Sequence, residues 1–114
     1  MTDCVFCRIA AGEMEPRIIL ETESVLAFHD LNPVAPQHAL VIPRRHIATL
    51  DDTAPEDREV LGDVMLAGAE VARKLELEKK GYRTVMNCGH GGGQSVYHIH
   101  LHVLGGRNLS WPPG

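Results

Sequence analysis

The 114-residue chain predicts an α+β domain with a mainly antiparallel five-stranded sheet, one long helix and a short N-terminal helix. Three observations carry this. Five short stretches rich in apolar residues are bounded by turn formers. One long stretch repeats its apolar residues at helical spacing. The order is strands, then the long helix, then more strands.

Asp3 is placed to cap a short helix over residues 4–11, closed by Gly12, with Phe6, Ile9 and Ala10 on one apolar face. Residues 17–21 and 25–30 read as two strands around a polar turn. Asn32-Pro33-Val34-Ala35-Pro36 is a loop, because both prolines resist helix and ladder. Residues 38–43 form a third strand. The long helix begins near Thr53, which forms a capping box with Glu56 and tolerates Pro55 in its first turn. Val60, Leu61, Val64, Met65, Val71, Ala72 and Leu75 share its apolar face. Lys79 and Lys80 suit its C-terminal end, and Gly81 stops it. Residues 82–87 are a fourth strand, 89–93 a glycine-rich loop, and 96–104 a fifth and longest strand. The tail, 107–114, holds the only tryptophan. Without repeat, low-complexity tract or linker, residues 1–114 read as a single domain.

Bulk properties exclude several classes. The formal net charge is -4, and the basic residues cluster only as Arg44-Arg45 and Lys79-Lys80. Bulk duplex nucleic-acid binding requires a basic stripe that is absent. An odd cysteine count, Cys4, Cys7 and Cys88, argues against a disulfide framework. No apolar run approaches the roughly 18 residues of a membrane span. The N-terminus lacks a basic-then-apolar targeting pattern, so a reducing cytoplasm is the expected location.

Three of the seven histidines stand at 98, 100 and 102. In an extended segment they project from one side, about 6.5–7 Å apart, while Ile99, Leu101 and Val103 face a core. Such a row is open to three readings: a solvated face, a His₃ metal site, or nucleophilic catalysis with neighbouring imidazoles assisting. A metal site needs three ligands converging within about 2.1 Å of one ion, and strand spacing readily supplies only two. A neutral imidazole is a good nucleophile toward phosphorus near neutral pH. The loop Gly89-His90-Gly91-Gly92-Gly93-Gln94-Ser95 precedes the row directly. Glycines let backbone amides approach an anion, while Ser95 and Asn87 add side-chain donors. Anion site and nucleophile would then be adjacent, which favours catalysis. Cys88 reads as a small buried side chain, and His90 as a polar loop residue.

The run His98-Ile99-His100-Leu101-His102-Val103-Leu104 resembles the signature of the histidine triad (HIT) superfamily. Leu26-Ala27-Phe28-His29-Asp30, Ala35-Pro36-Gln37-His38, Val41-Ile42-Pro43, Gly92-Gly93-Gln94-Ser95-Val96-Tyr97 and the ending Gly105-Gly106-Arg107 through Trp111-Pro112-Pro113-Gly114 are similar to its HINT branch. That branch comprises homodimeric nucleoside phosphoramidate hydrolases. The resemblance implies a sheet continued across a homodimer, and the following roles. His100 is the nucleophile. His102 holds the phosphate with amides around Gly93, Gln94 and Ser95; on chemical grounds alone, a protonated ring there would supply the donor without a metal. Ser95 lies near the leaving amine, and His38 and His98 support the nucleophile and relay protons. Asp30 binds the ribose hydroxyls. Phe6, Ile9, Phe28, His29, Leu31 and Val96 line the nucleotide pocket, and Asn87 serves the ribose–phosphate end. Trp111 reaches toward the partner subunit's site. Purine nucleotides are the expected substrates, and no cofactor is needed for catalysis.

Cys4-x-x-Cys7 departs from the animal HINT pattern. By itself it is a zinc half-site, a redox pair or a coincidence, and a thioredoxin-type role lacks the following βαβ pattern. His46, at a strand end, is a plausible third ligand. Resemblance to several bacterial HIT proteins implies a structural zinc held by Cys4, Cys7, His46 and His98. The leading function is therefore hydrolysis of the P–N bond of purine nucleoside 5'-phosphoramidates through a nucleotidyl-histidine. A nucleotide-binding interaction protein with incidental catalysis is the alternative, and a metal-dependent hydrolase the third reading.

Overall fold

The computed structural model describes residues 4–114. Helix α1 spans Val5–Ala10, with Cys4 as its N-cap: Cys4 Sγ accepts the Cys7 amide at 3.3 Å. The expected Asp3 cap lies outside the described residues. Gly12, at φ 82°, turns the chain out of the helix as its lack of a Cβ allows. Strands β1 (Ile18–Glu21), β2 (Val25–His29) and β3 (Gln37–Pro43) follow. The long helix α2 spans Arg58–Lys74, and β4 (Arg83–Val85) and β5 (Leu101–Gly105) complete the sheet. All neighbours pair antiparallel in the order β1-β2-β3-β5-β4.

Side-chain alternation gives the sheet two buried faces. Val25, Ala27, Ala39, Val41, Leu101 and Val103 pack under α2 against Val64, Ala67, Val71 and Ala72. Leu26, Phe28, Leu40 and Ile42 face the other way, against Phe6 of α1. α2 lies close to the sheet at Gly68, where an added Cβ would stand 2.7 Å from Leu101 Cδ2. Gly68→Val is expected to cost about 1–3 kcal/mol through overpacking. Gly62→Ala, on the same helix with nothing within 4 Å of the added carbon, should gain about 0.5–1 kcal/mol. Urea midpoints moving in the same direction for both variants would overturn this packing account.

Three expected boundaries differ. The capping box at Thr53 does not form, because Thr53 Oγ1 donates back to Leu50 O at 2.7 Å. Two 3-10 turns, Leu50–Asp52 and Pro55–Asp57, precede α2 instead. Asp57 accepts the Ala54 amide at 2.9 Å and pairs with Arg45, whose hydrogen bond holds the Asp57 carboxyl below its ordinary range. α2 ends at Lys74, not near Lys80. Leu77 is buried in the α2-side core, which draws the chain inward through Glu76 at φ 59°. Burying a leucine stabilises by roughly 1.5–3 kcal/mol, enough to outweigh the roughly 1–2 kcal/mol cost of a left-handed residue.

The fifth strand starts at Leu101, not Val96. Register pairs Val41 with Leu101, so two positions further on Pro43 would stand against Ile99, and proline has no amide to donate. On the other side β4 stops at Val85. Residues 96–100 therefore leave the ladder and are held individually: the Ile99 amide donates to Ile47 O at 2.8 Å.

Candidate active site

The imidazoles at 98, 100 and 102 nonetheless form one row on the α1 side of the sheet. Phe6 meets both His98 and His100 edge-on, at 5.9 and 5.1 Å between ring centres, and His100 lies 4.9 Å from His102. Ile99, Leu101 and Val103 are buried on the opposite side.

Hydrogen bonds define the tautomer of each ring. His100 Nδ1 lies 2.9 Å from the His98 carbonyl, so Nδ1 carries and donates the proton, and Nε2 keeps its lone pair. His38 Nδ1 accepts the Val34 amide at 3.1 Å, so its proton sits on Nε2. That Nε2–H donates to His102 Nδ1 at 2.9 Å, with Asp30 Oδ2 3.3 Å away. His38 and His102 meet because they are diagonal neighbours on one face: His102 pairs with Leu40, and His38 with Leu104. The neutral His102 ring then carries its proton on Nε2, the opposite nitrogen.

The expectation of a protonated His102 is not met. Burial, with His100 and His38 nearby and Asp30 opposing only in part, lowers its pKa from 6.5 to about 4. Burial also lowers His38, partly offset by Asp30, and lowers His29, where Arg17 adds to the effect. The donor His102 offers is the N–H of a neutral ring.

A stability prediction follows from the sign of this shift. Between pH 6.5 and about 4 the unfolded chain takes up a proton that folded His102 refuses. This contribution to stability is complete above pH 6.5 and is lost as pH falls through that window. The loss should be on the order of 2 kcal/mol by pH 5. Urea unfolding at pH 7 and pH 5 measures it. An unchanged midpoint would mean that His102 is not held neutral.

His98 is fully buried and faces a second cluster. Its Nε2–H donates to the Pro43 carbonyl at 2.8 Å, leaving the Nδ1 lone pair free. Nδ1 lies 3.4 Å from Cys4 Sγ, 3.5 Å from Cys7 Sγ and 3.3 Å from His46 Nδ1, and Cys7 Sγ lies 3.2 Å from His46 Nδ1. All four donor atoms fall within 4.8 Å of one another. A tetrahedral zinc, with bonds of about 2.3 Å to sulfur and 2.0–2.1 Å to nitrogen, sets its ligands about 3.3–3.8 Å apart. The donor set fits that ion in chemistry and spacing, and the Pro43 carbonyl orients the His98 ring as metal-bound imidazoles require. The triad itself cannot form a His₃ site. Its three rings aim their Nδ1 atoms at the cysteines, at a carbonyl and at His38. Asp30, His38 and His102 also cluster, but the proton on His38 Nε2 makes them a hydrogen-bonded relay.

Other expected residues divide. Ser95 is exposed beside the loop, and Asn87 Nδ2 reaches Gly93 O at 3.5 Å. Gly93 adopts φ 94°, a left-handed conformation suited to glycine. Gln94 braces the loop: Oε1 accepts the Gly89 amide at 2.8 Å, and Nε2 donates to Ala48 O and Val96 O at 2.7 and 3.0 Å. With their own amides bonded to Gly89 O and His90 O, Gln94 and Gly93 have no main-chain donor left for an anion, contrary to the expectation for both. Phe6, Phe28 and Leu40 are core residues of the α1 side, with Ile9 and Val96 packed against them. Asp30 Oδ1 accepts the Asn32 amide at 2.8 Å, and His29 is half-buried beside it. Leu31 is 85% exposed and builds no wall in this chain alone. Trp111 is 81% exposed beside edge strand β4, with the Arg83 guanidinium 5.9 Å from its ring centre. Cys88 is exposed, not buried as the sequence suggested. The Val34 amide and the His98 and Pro43 carbonyls, which set the ring tautomers, were missed. They are main-chain groups, and side-chain pattern carries no signal for them.

A row of imidazoles with assigned tautomers, beside a glycine loop on an antiparallel sheet, defines the histidine-triad class. The HIT domain family model matches residues 11–109, and the chain belongs to the HIT family. A HIT-like protein of Synechococcus elongatus is 46% identical over 112 residues, covering 98% of this chain and 97% of that one. The crystal structure of a HIT family hydrolase from Legionella pneumophila Philadelphia 1 matches with TM-score 0.95 and 48% identity, covering 97% of this chain and 99% of that chain. A histidine triad nucleotide-binding protein from Candida albicans matches with TM-score 0.82 and 29% identity, over 96% of this chain and 82% of its own. No helix among the described residues is long and apolar enough to cross a membrane.

Proposed function

We propose that the chain is a HINT-type hydrolase that cleaves the P–N bond of purine nucleoside 5'-phosphoramidates. The observation that carries this is the hydrogen bond from His100 Nδ1 to the His98 carbonyl, which leaves Nε2 an unprotonated, fixed nucleophile. His100 Nε2 attacks the α-phosphorus, the P–N bond breaks, and the departing amine takes a proton from the Ser95 side of the site. Water then attacks phosphorus, returns its proton to the Ser95 side of the site, and expels His100 as the neutral ring, releasing the nucleoside monophosphate. The His102 Nε2–H donates to a non-bridging oxygen where charge develops, together with the Ser95 amide. Asp30 receives the ribose hydroxyls, and the Phe6–Phe28 side of the cluster stacks the base. The Legionella relative's designation as a hydrolase and the Candida relative's as nucleotide-binding support this reading.

Zinc belongs to the same proposal, held by Cys4, Cys7, His46 and His98. It would supply a closed structural anchor, not a catalytic Lewis acid, because all four positions are taken by protein. Homodimerisation through the exposed β4 edge, with Trp111 completing the partner's leaving-group side, and a reducing cytoplasm complete the reading.

Quenching the protein during turnover of adenosine 5'-phosphoramidate should yield chain made heavier by one AMP on His100. Hydrolysis without any adduct would favour direct attack by water. Tight AMP binding with no turnover of any phosphoramidate would favour a binding protein instead.

A further inference from the structure

The metal cluster and the nucleophile share one residue. The His98 ring offers Nδ1 to the cysteines and His46, and the His98 carbonyl holds the His100 Nδ1 proton. The cluster thus holds the side chain of the residue whose carbonyl sets the nucleophile's tautomer, while the Ile99 amide of the same peptide is held by Ile47 O at 2.8 Å. A second link runs through α1. Phe6 lies between Cys4 and Cys7 in sequence, and its ring edges against His98, His100 and Phe28 at 5.9, 5.1 and 5.8 Å. α1 has only 6 residues, far too few to be stable alone, so its position depends on what anchors it. Both sulfurs are partly exposed, stand three positions apart at the start of that helix, and lie within the 4.8 Å span of the cluster. Cys88 is outside it.

We propose that Cys4 and Cys7 form a thiol-redox control point for the hydrolase: their oxidation to a disulfide releases the metal and disarms His100. This rests on the metal and hydrolase readings above. The oxidant is of the peroxide class. The two metal-bound thiolates give up two electrons as the sulfur–sulfur bond forms. The peroxide O–O bond breaks, two protons come from solvent, and two waters and the free zinc ion leave. A dithiol reductant with zinc reverses the change. With its sulfurs joined to each other, α1 loses its tie to His46 and His98. Phe6 then no longer buttresses the His100 ring, and the His98 ring keeps only its bond to the Pro43 carbonyl, so the nucleophile loses its lateral support while the His98–Ile99 peptide stays tied to Ile47 O.

The test uses the full chain carrying Cys88→Ser, so that Cys4 and Cys7 are the remaining thiols, loaded with zinc and treated with stoichiometric hydrogen peroxide. Released zinc, free thiols, AMP affinity by calorimetry and the amplitude of the nucleotidyl-His100 burst are followed together. Thiols and zinc should be lost in step, with AMP affinity and burst each falling about tenfold and returning with reductant plus zinc. His46→Ala, which weakens the metal site without altering α1, should lose zinc, AMP affinity and burst without peroxide while keeping both thiols. Loss of zinc and thiols with unchanged AMP affinity and burst would refute the coupling and leave the metal site standing. Zinc that stays bound under peroxide would refute redox control. A reduced chain that takes up no zinc would refute the metal reading and the coupling together. A zinc-loaded, untreated chain that forms no adduct would refute the hydrolase reading, independently of the zinc and thiol results.

Discussion

His100→Ala is expected to form no nucleotidyl adduct and to turn over adenosine phosphoramidate about 10⁴-fold more slowly, or worse, while still binding AMP. Double displacement divides a difficult substitution at phosphorus into two easier ones, and the variant has nothing with which to begin the first. Water bound in the vacated space would face the same phosphorus without the imidazole's basicity or its alignment by the His98 carbonyl. The buried ring also fills space against Phe6 and His102, so truncation leaves a cavity. His100→Gln, which fills more of that space, separates the two effects: it should be equally inactive and more stable. Rapid-quench mass spectrometry and steady-state rates decide the matter. An adduct persisting in either variant, or a loss smaller than about tenfold, would move the nucleophile elsewhere.

His102→Ala should lower kcat by about 10²–10³-fold, with a much smaller change in KM. The Nε2–H of the neutral ring is assigned to an oxygen whose charge grows in the transition state, so its removal is felt there more than in the bound substrate. His38→Phe should cost less, about tenfold, because it keeps His102 and removes the donor that holds its tautomer, along with the contacts to the Val34 amide and Asp30. The ranking is the informative result. Equal losses would mean the pair moves a proton as a unit. A rise in KM alone for His102→Ala would make it a binding residue with no differential role.

Much of this architecture was legible in the sequence, and the limits have physical causes. The alternation Leu26/Ala27/Phe28 and Leu40/Val41/Ile42 separates the two faces, because side-chain direction along a strand is a local property. The alternation His98 to Val103 placed the imidazoles opposite the α2-side core even though half that segment is outside the ladder. The C-terminal end of α2 was not legible. Lys79, Lys80 and Gly81 carry stronger local stop signals than Lys74, but burial of Leu77 overrides them, and burial is a property of the assembled core. The start of β5 depends on Pro43, which opposes it only after folding. Gln94 looked like a ligand residue because it sits in a glycine loop, whereas its amide braces that loop from within. His102 was expected charged because a cation suits a phosphate, and only the surrounding burial and its histidine neighbours show that the ring stays neutral.

The sheet order carries a consequence for biosynthesis. β5, the last of these five strands to leave the ribosome, inserts between β3 and β4, and β4 is hydrogen-bonded to no other strand of the sheet. A nascent chain can assemble β1, β2 and β3 as a meander and dock α2, but β4 must wait without a ladder until the final stretch emerges. Closing so distant a pairing is slow relative to local hairpin formation. The nucleophile arrives immediately before that closing strand, so an incomplete chain has no means of attacking a nucleotide.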